Sequence, residues 1–169
     1  LVRVLLLLDD EDFCSEVVQR WRDEHEARPS DSQALAHVLV RGSEALGRNR
    51  KFGPASEWAE AAVKAAEEGS ALHREARFYA IWARPRHTAE LKAESVVLLT
   101  ALIAQLDRES DRRDRALLAR AFNLLGDLNA AKDDQIVAYE RSIAIKKELN
   151  DVEGLGYSYG GIARAYFYK

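Results

Sequence analysis

Turn-forming pairs recur along this chain at a near-constant interval: Asp31-Ser32, Gly69-Ser70, Ser110-Asp111 and Asn150-Asp151. The step between them is about 40 residues, and a fixed period in that range marks a repeat array in which each unit shelters the apolar face of the next. The spacing sets boundaries at 1–30, 31–69, 70–110, 111–150 and 151–169: an N-terminal helical segment, two degenerate repeats, one well-formed repeat, and the first helix of a further one.

Each period holds two helical patterns. Leu118, Ala121, Phe122, Leu125 and Leu128 fall on one helix face. A polar break at Lys132-Asp133-Asp134 follows. Then Ile136, Tyr139 and Ile143 form one stripe, and Ala138, Ser142, Ile145 and Leu149 a second. A helix with two apolar faces is wedged between neighbours, as an internal helix of a stack must be. Upstream, the patterns predict helices near 32–46, 55–67, 71–84 and 89–106. Pro54 starts the second of these and Pro85 stops the third. Trp58, Ala62 and Ala65 face the core from the second, and Leu91, Ser95, Leu98, Leu102 and Leu106 from the fourth. A further helix is expected from about Asp10 to Ala27, with acids at its positive end, and residues 1–8 read as the tail of another.

Composition narrows the function classes. Hydrophobic residues make up 47 % of the 169, with nine Gly and three Pro, which fits a packed helical fold. Twenty-five basic residues stand against 28 acidic ones, so a strongly basic nucleic-acid-binding domain is not the default. A single cysteine, Cys14, cannot form an internal disulfide, which suits a reducing, cytoplasmic setting. No apolar run is long enough for a membrane span. The lack of methionine and a helical pattern still open at Lys169 suggest a segment of a larger protein.

The stretch Arg120-Ala121-Phe122-Asn123-Leu124-Leu125-Gly126-Asp127-Leu128, followed by Ala138-Tyr139-Glu140-Arg141-Ser142-Ile143-Ala144-Ile145, resembles a tetratricopeptide repeat of the 40-residue type. Gly161-Ile162-Ala163-Arg164-Ala165-Tyr166 resembles the first helix of the next unit. The resemblance implies an all-α fold, an α-α superhelix of antiparallel helix pairs. It implies that Gly126 or Ala163 lets paired helices approach and that Tyr166 fills the adjoining gap. It also implies a concave face, lined by first helices, that binds a protein or peptide. The contact residues it points to are Arg120, Asn123 and Asp127, with Tyr157 and Arg164 from the following helix; Arg74, Arg77 and Arg84 are weaker candidates. Arginines on one face suit an acidic peptide through charge-assisted hydrogen bonds. Asp127 stands where a carboxylate clamp of the family would want asparagine. The resemblance equally allows a sensor or regulatory module of a larger signalling protein, such as an ATPase or a transcription regulator.

Other chemistry finds little support. Gly154-Leu155-Gly156-Tyr157-Ser158-Tyr159-Gly160 has the glycine spacing of a dinucleotide loop, but such a loop needs a preceding strand and here a helix precedes it. His25, His37, His73 and His87 lack partners at metal-ligand spacing, so no metal is expected. Asp9-Asp10-Glu11-Asp12 lacks the geometry of a calcium loop. The mixed-charge run from Asp107 to Arg115 reads as a solvated connection. No nucleophile–base pairing stands out, and we expect a binding protein without an active site or cofactor.

Overall fold

The computed structural model describes residues 29–168 and is helical throughout this range, with no strand among the described residues. The expected helix from Asp10 to Ala27, residues 1–8, Cys14 and His25 lie outside it. The seven described helices are α1 (Pro29–Arg48), α2 (Phe52–Ala65), α3 (Ala71–Ala83), α4 (Ala89–Leu106), α5 (Arg112–Leu128), α6 (Lys132–Leu149) and α7 (Val152–Phe167). The chain divides into two compact units, Leu1–Pro85 and Arg86–Lys169.

Three of the four turn pairs supply helix caps, and Thr88 supplies another. Ser70 accepts a hydrogen bond from the His73 backbone N–H, Thr88 from Leu91, Asp111 from Arg113, and Asp151 from Gly154. Each satisfies a donor that the first helical turn leaves open. Two helices end in the same left-handed turn. At the end of α1, Lys51 N donates to Leu46 O at 2.9 Å and Arg50 N to Gly47 O at 3.0 Å, with Arg50 at φ 62. At the end of α6, Asp151 N donates to Lys146 O at 2.9 Å and Asn150 N to Lys147 O at 3.2 Å, with Asn150 at φ 59. This paired bonding closes the last carbonyls, and asparagine tolerates the left-handed angles.

Three boundaries differ from expectation. Asp31-Ser32 lies inside α1, because Pro29 opens that helix; its fixed φ suits the first turn. Lys132-Asp133-Asp134 is the first turn of α6 rather than a break. Its two aspartates sit at the positive end of the helix dipole, so polarity there stabilises the helix. The Asp107–Arg115 run is more than a solvated link. Asp114 is buried, Arg115 pairs with Glu148 at 2.7 Å, and Arg112 donates to Leu149 O at 3.0 Å, tying the start of α5 to the end of α6.

Within the first unit α1 packs on α2 and α3, and α2 on α3. Within the second, α4 packs on α5, α5 on α6 and α7, and α6 on α7. Within each unit, each helix thus lies on its successor, and first helices of consecutive pairs also touch, which is the local packing of an α-α superhelix. Both stripes of α6 are buried, Ile136, Tyr139 and Ile143, and Ala138, Ser142 and Ile145, except that Leu149 at the end of the second is half-buried. On α4 the core residues are Ser95, Leu99, Leu102 and Leu106; Leu99 takes the place expected of Leu98.

Aromatic rings seated on glycines set the close approaches. Trp58 of α2 covers Gly42, and Trp82 of α3 covers Gly47. The Tyr139 ring lies between two helices: a Cβ at Gly126 would come within 2.6 Å of it and one at Gly161 within 2.5 Å. Gly126 therefore acts as expected, and Gly161 does the same on α7; Ala163 and Tyr166, expected to meet the partner helix of a further pair, lie on the other side of α7. Ala163 is exposed, and Tyr166 is 57 % exposed, because both point away from α5 and α6.

Candidate functional site

The five expected contact residues come from α5 and α7, and hydrogen bonds between the two helices engage three of them: Asn123, Asp127 and Arg164. Ser158 of α7 donates to Asn123 Oδ1 at 2.8 Å. Arg164 donates to Asp127 Oδ1 at 3.3 Å. Asp127 Oδ1 also accepts from the Tyr139 hydroxyl at 2.7 Å. Three helices therefore meet on one carboxylate. Burial, with the Asp127 charge beside it, pushes the Tyr139 phenol up to about 12. Burial lowers the pKa of half-buried Arg86, and the Asp127 carboxylate opposes that shift.

Behind this edge lies a buried polar chain that the sequence did not single out. Ser142 donates to Ala119 O at 2.7 Å, and Lys146 donates to Ser158 Oγ at 2.8 Å and to Gly154 O at 3.0 Å. The Ser142 and Ser158 hydroxyls are 3.1 Å apart. Each serine has one proton, and each has a good acceptor elsewhere, so the oxygens can sit side by side with both donors satisfied. Lys146 is only 3 % exposed. Burial holds its pKa below the usual lysine value; Asp151 opposes that shift and Arg120 adds to it. A lysine on the side of a helix near its end reads in sequence as a solvent-facing cation. Only the approach of α7 encloses it.

The candidates thus divide by role. Asn123 is half-buried and holds α7 through Ser158. Asp127 is exposed but already joined to Tyr139 and Arg164. Arg120 is half-buried, close enough to Lys146 for their charges to interact. Tyr157 is 69 % exposed, and the Arg164 side chain 67 % exposed. These two lie outermost on the shared edge. In the first unit, Arg74 is buried and donates to Gly69 O, closing the α2–α3 turn, while Arg77 and Arg84 are half-buried. Arg74 is accordingly a structural residue.

No group of three or more His, Cys, Asp or Glu among the described residues could hold a metal ion. No described helix is long and apolar enough to cross a membrane. The Gly154–Gly160 segment is a capped helix start within α7. Comparisons with family models, curated proteins and solved structures return no match.

Proposed function

We propose that the second unit is a protein- or peptide-binding scaffold, and that the edge shared by α5 and α7 receives an extended acidic segment. One observation carries this reading: Arg164 and Tyr157 project to solvent from a helix locked to α5 by the Ser158–Asn123 and Arg164–Asp127 bonds. A rigid edge loses little conformational freedom on binding, so its outer side chains can serve as contacts. The Arg164–Asp127 contact is exposed and long for a charge-assisted bond, so an incoming carboxylate can share or replace it. Arg120, Asn123 and Asp127 complete the edge. The likeness to 40-residue tetratricopeptide repeats supports the same assignment, without any enzymatic role or cofactor.

The test is fluorescence anisotropy with a labelled, aspartate- and glutamate-rich decapeptide, titrated at low and at moderate salt. The expected result is binding that weakens with salt and falls at least about tenfold for Arg164→Glu. Arg120→Glu should weaken it less, because Arg120 is half-buried. Equal affinity for a lysine-rich peptide of the same length, or indifference to Arg164→Glu, overturns the proposal.

A further inference from the structure

The buried lysine of α6 controls what α5 can offer a ligand. The Lys146 ammonium group carries donors and no acceptor. It donates to Gly154 O at 3.0 Å and to Ser158 Oγ at 2.8 Å. The fully buried Ser158 hydroxyl accepts from the lysine and has one proton of its own to give. Two oxygens stand near it, Asn123 Oδ1 at 2.8 Å and Ser142 Oγ at 3.1 Å. The first distance is ordinary for an O–H···O bond and the second is long, so the proton goes to Asn123.

That bond fixes the direction of the Asn123 amide. Its oxygen faces inward to Ser158, and its nitrogen, with two N–H donors, faces the opposite way. Charge requires the same direction. The negative end of the amide dipole lies toward the buried cation, and a turned amide would set its N–H groups there instead. The nitrogen itself is not enclosed. Asn123 is half-buried, its Nδ2 makes no hydrogen bond among the described residues, and it is not one of their buried polar atoms left without a partner. It therefore reaches solvent.

We propose that Lys146 is a positioning residue for the α5–α7 edge: acting through Ser158, it holds the Asn123 amide with its nitrogen outward, so that the edge accepts an acceptor oxygen at that place and disfavours a donor. The choice of ligand rests on the peptide-binding reading above; the direction of the amide does not. The lysine is costly in any other role. Its two acceptors are neutral oxygens, and an apolar side chain would fill the same space without the desolvation of a charge. Its return is a direction of hydrogen bonding carried across three helices, from α6 through α7 to α5. Arg164 projects donors from the same edge. An acidic segment, rich in carboxylate and carbonyl oxygens, matches both.

Two measurements test this separately. In the ligand-free full chain, water-saturation transfer reads solvent exchange at the Asn123 side-chain amide, whose signals are assigned by their loss in Asn123→Ala. Exchange should be as fast as at exposed Asn49. Lys146→Met should slow it, because the amide is then free to turn its nitrogen to Ser158. A protected amide in the wild type, or equal exchange in Lys146→Met, overturns the proposal. In the second measurement, anisotropy with the acidic decapeptide, Asn123→Ala should weaken binding at least about tenfold, as expected for a lost hydrogen bond to a charged group. Lys146→Met should also weaken binding, yet add nothing in the Asn123→Ala background, with the circular-dichroism spectrum unchanged throughout. Additive losses would show that Lys146 acts by its charge alone and overturn the positioning role. A wild type that binds no decapeptide ends the peptide-binding reading and the ligand half of this proposal, while the exchange measurement still decides the direction of the amide.

Discussion

Tyr139 does two things with one side chain: its ring spaces Gly126 from Gly161, and its hydroxyl fixes Asp127. The fold favours the neutral phenol, whose pKa is pushed from the ordinary 10.0 to about 12. A group with a raised folded-state pKa contributes stability that is fully present below its unfolded value and is lost as pH rises through the folded one. Urea unfolding should therefore show a loss of stability between about pH 10 and 12 that is smaller in Tyr139→Phe, and equal slopes in the two proteins would show that the phenol is not held this way. Ser158 is the second single-residue test. Ser158→Ala removes the donor to Asn123 and an acceptor of Lys146, leaving buried polar atoms without a bond, which costs about 1–3 kcal/mol. A change in unfolding free energy below about 0.5 kcal/mol would show that the chain of polar groups adds little.

At the level of the helices, neighbouring glycines in α7 have opposite duties. Gly161 faces the Tyr139 ring with no room for a methyl group, whereas Gly160 faces open space. Gly161→Ala should destabilise by about 1–3 kcal/mol through overpacking, and Gly160→Ala should stabilise by up to about 1 kcal/mol through helix propensity. Urea unfolding followed by far-ultraviolet circular dichroism, which reports the helices of both units, reads both. The same sign for the two substitutions would contradict the assigned packing. The sequence marked Gly126 but not Gly161, which meets the same ring from α7. The reason is that a tyrosine on α6 has two neighbours, and the periodicity of α7 alone does not say which of its small residues, Gly160, Gly161 or Ala163, meets the ring.

At the scale of the whole molecule, binding acts by mass action on the folded state. The acidic decapeptide should raise the melting temperature of the full chain, and Arg164→Glu should flatten that rise. Equal rises in the two proteins would count against the proposed edge.

What the sequence determined alone is the helical class and where helices start and stop. Those features depend on nearby residues: a serine or aspartate cap, a proline at a first turn, an asparagine that accepts a left-handed angle. The helices α3 and α4 were legible almost to the residue for this reason. Their buried faces followed from periodicity, apart from one step at Leu98 and Leu99. Tertiary structure decided which polar residues are free to act. Asn123 and Lys146 look like surface groups in sequence, yet α7 comes down on both. Whether a polar side chain meets water or a partner depends on a helix many residues away, and local pattern holds no record of that distance.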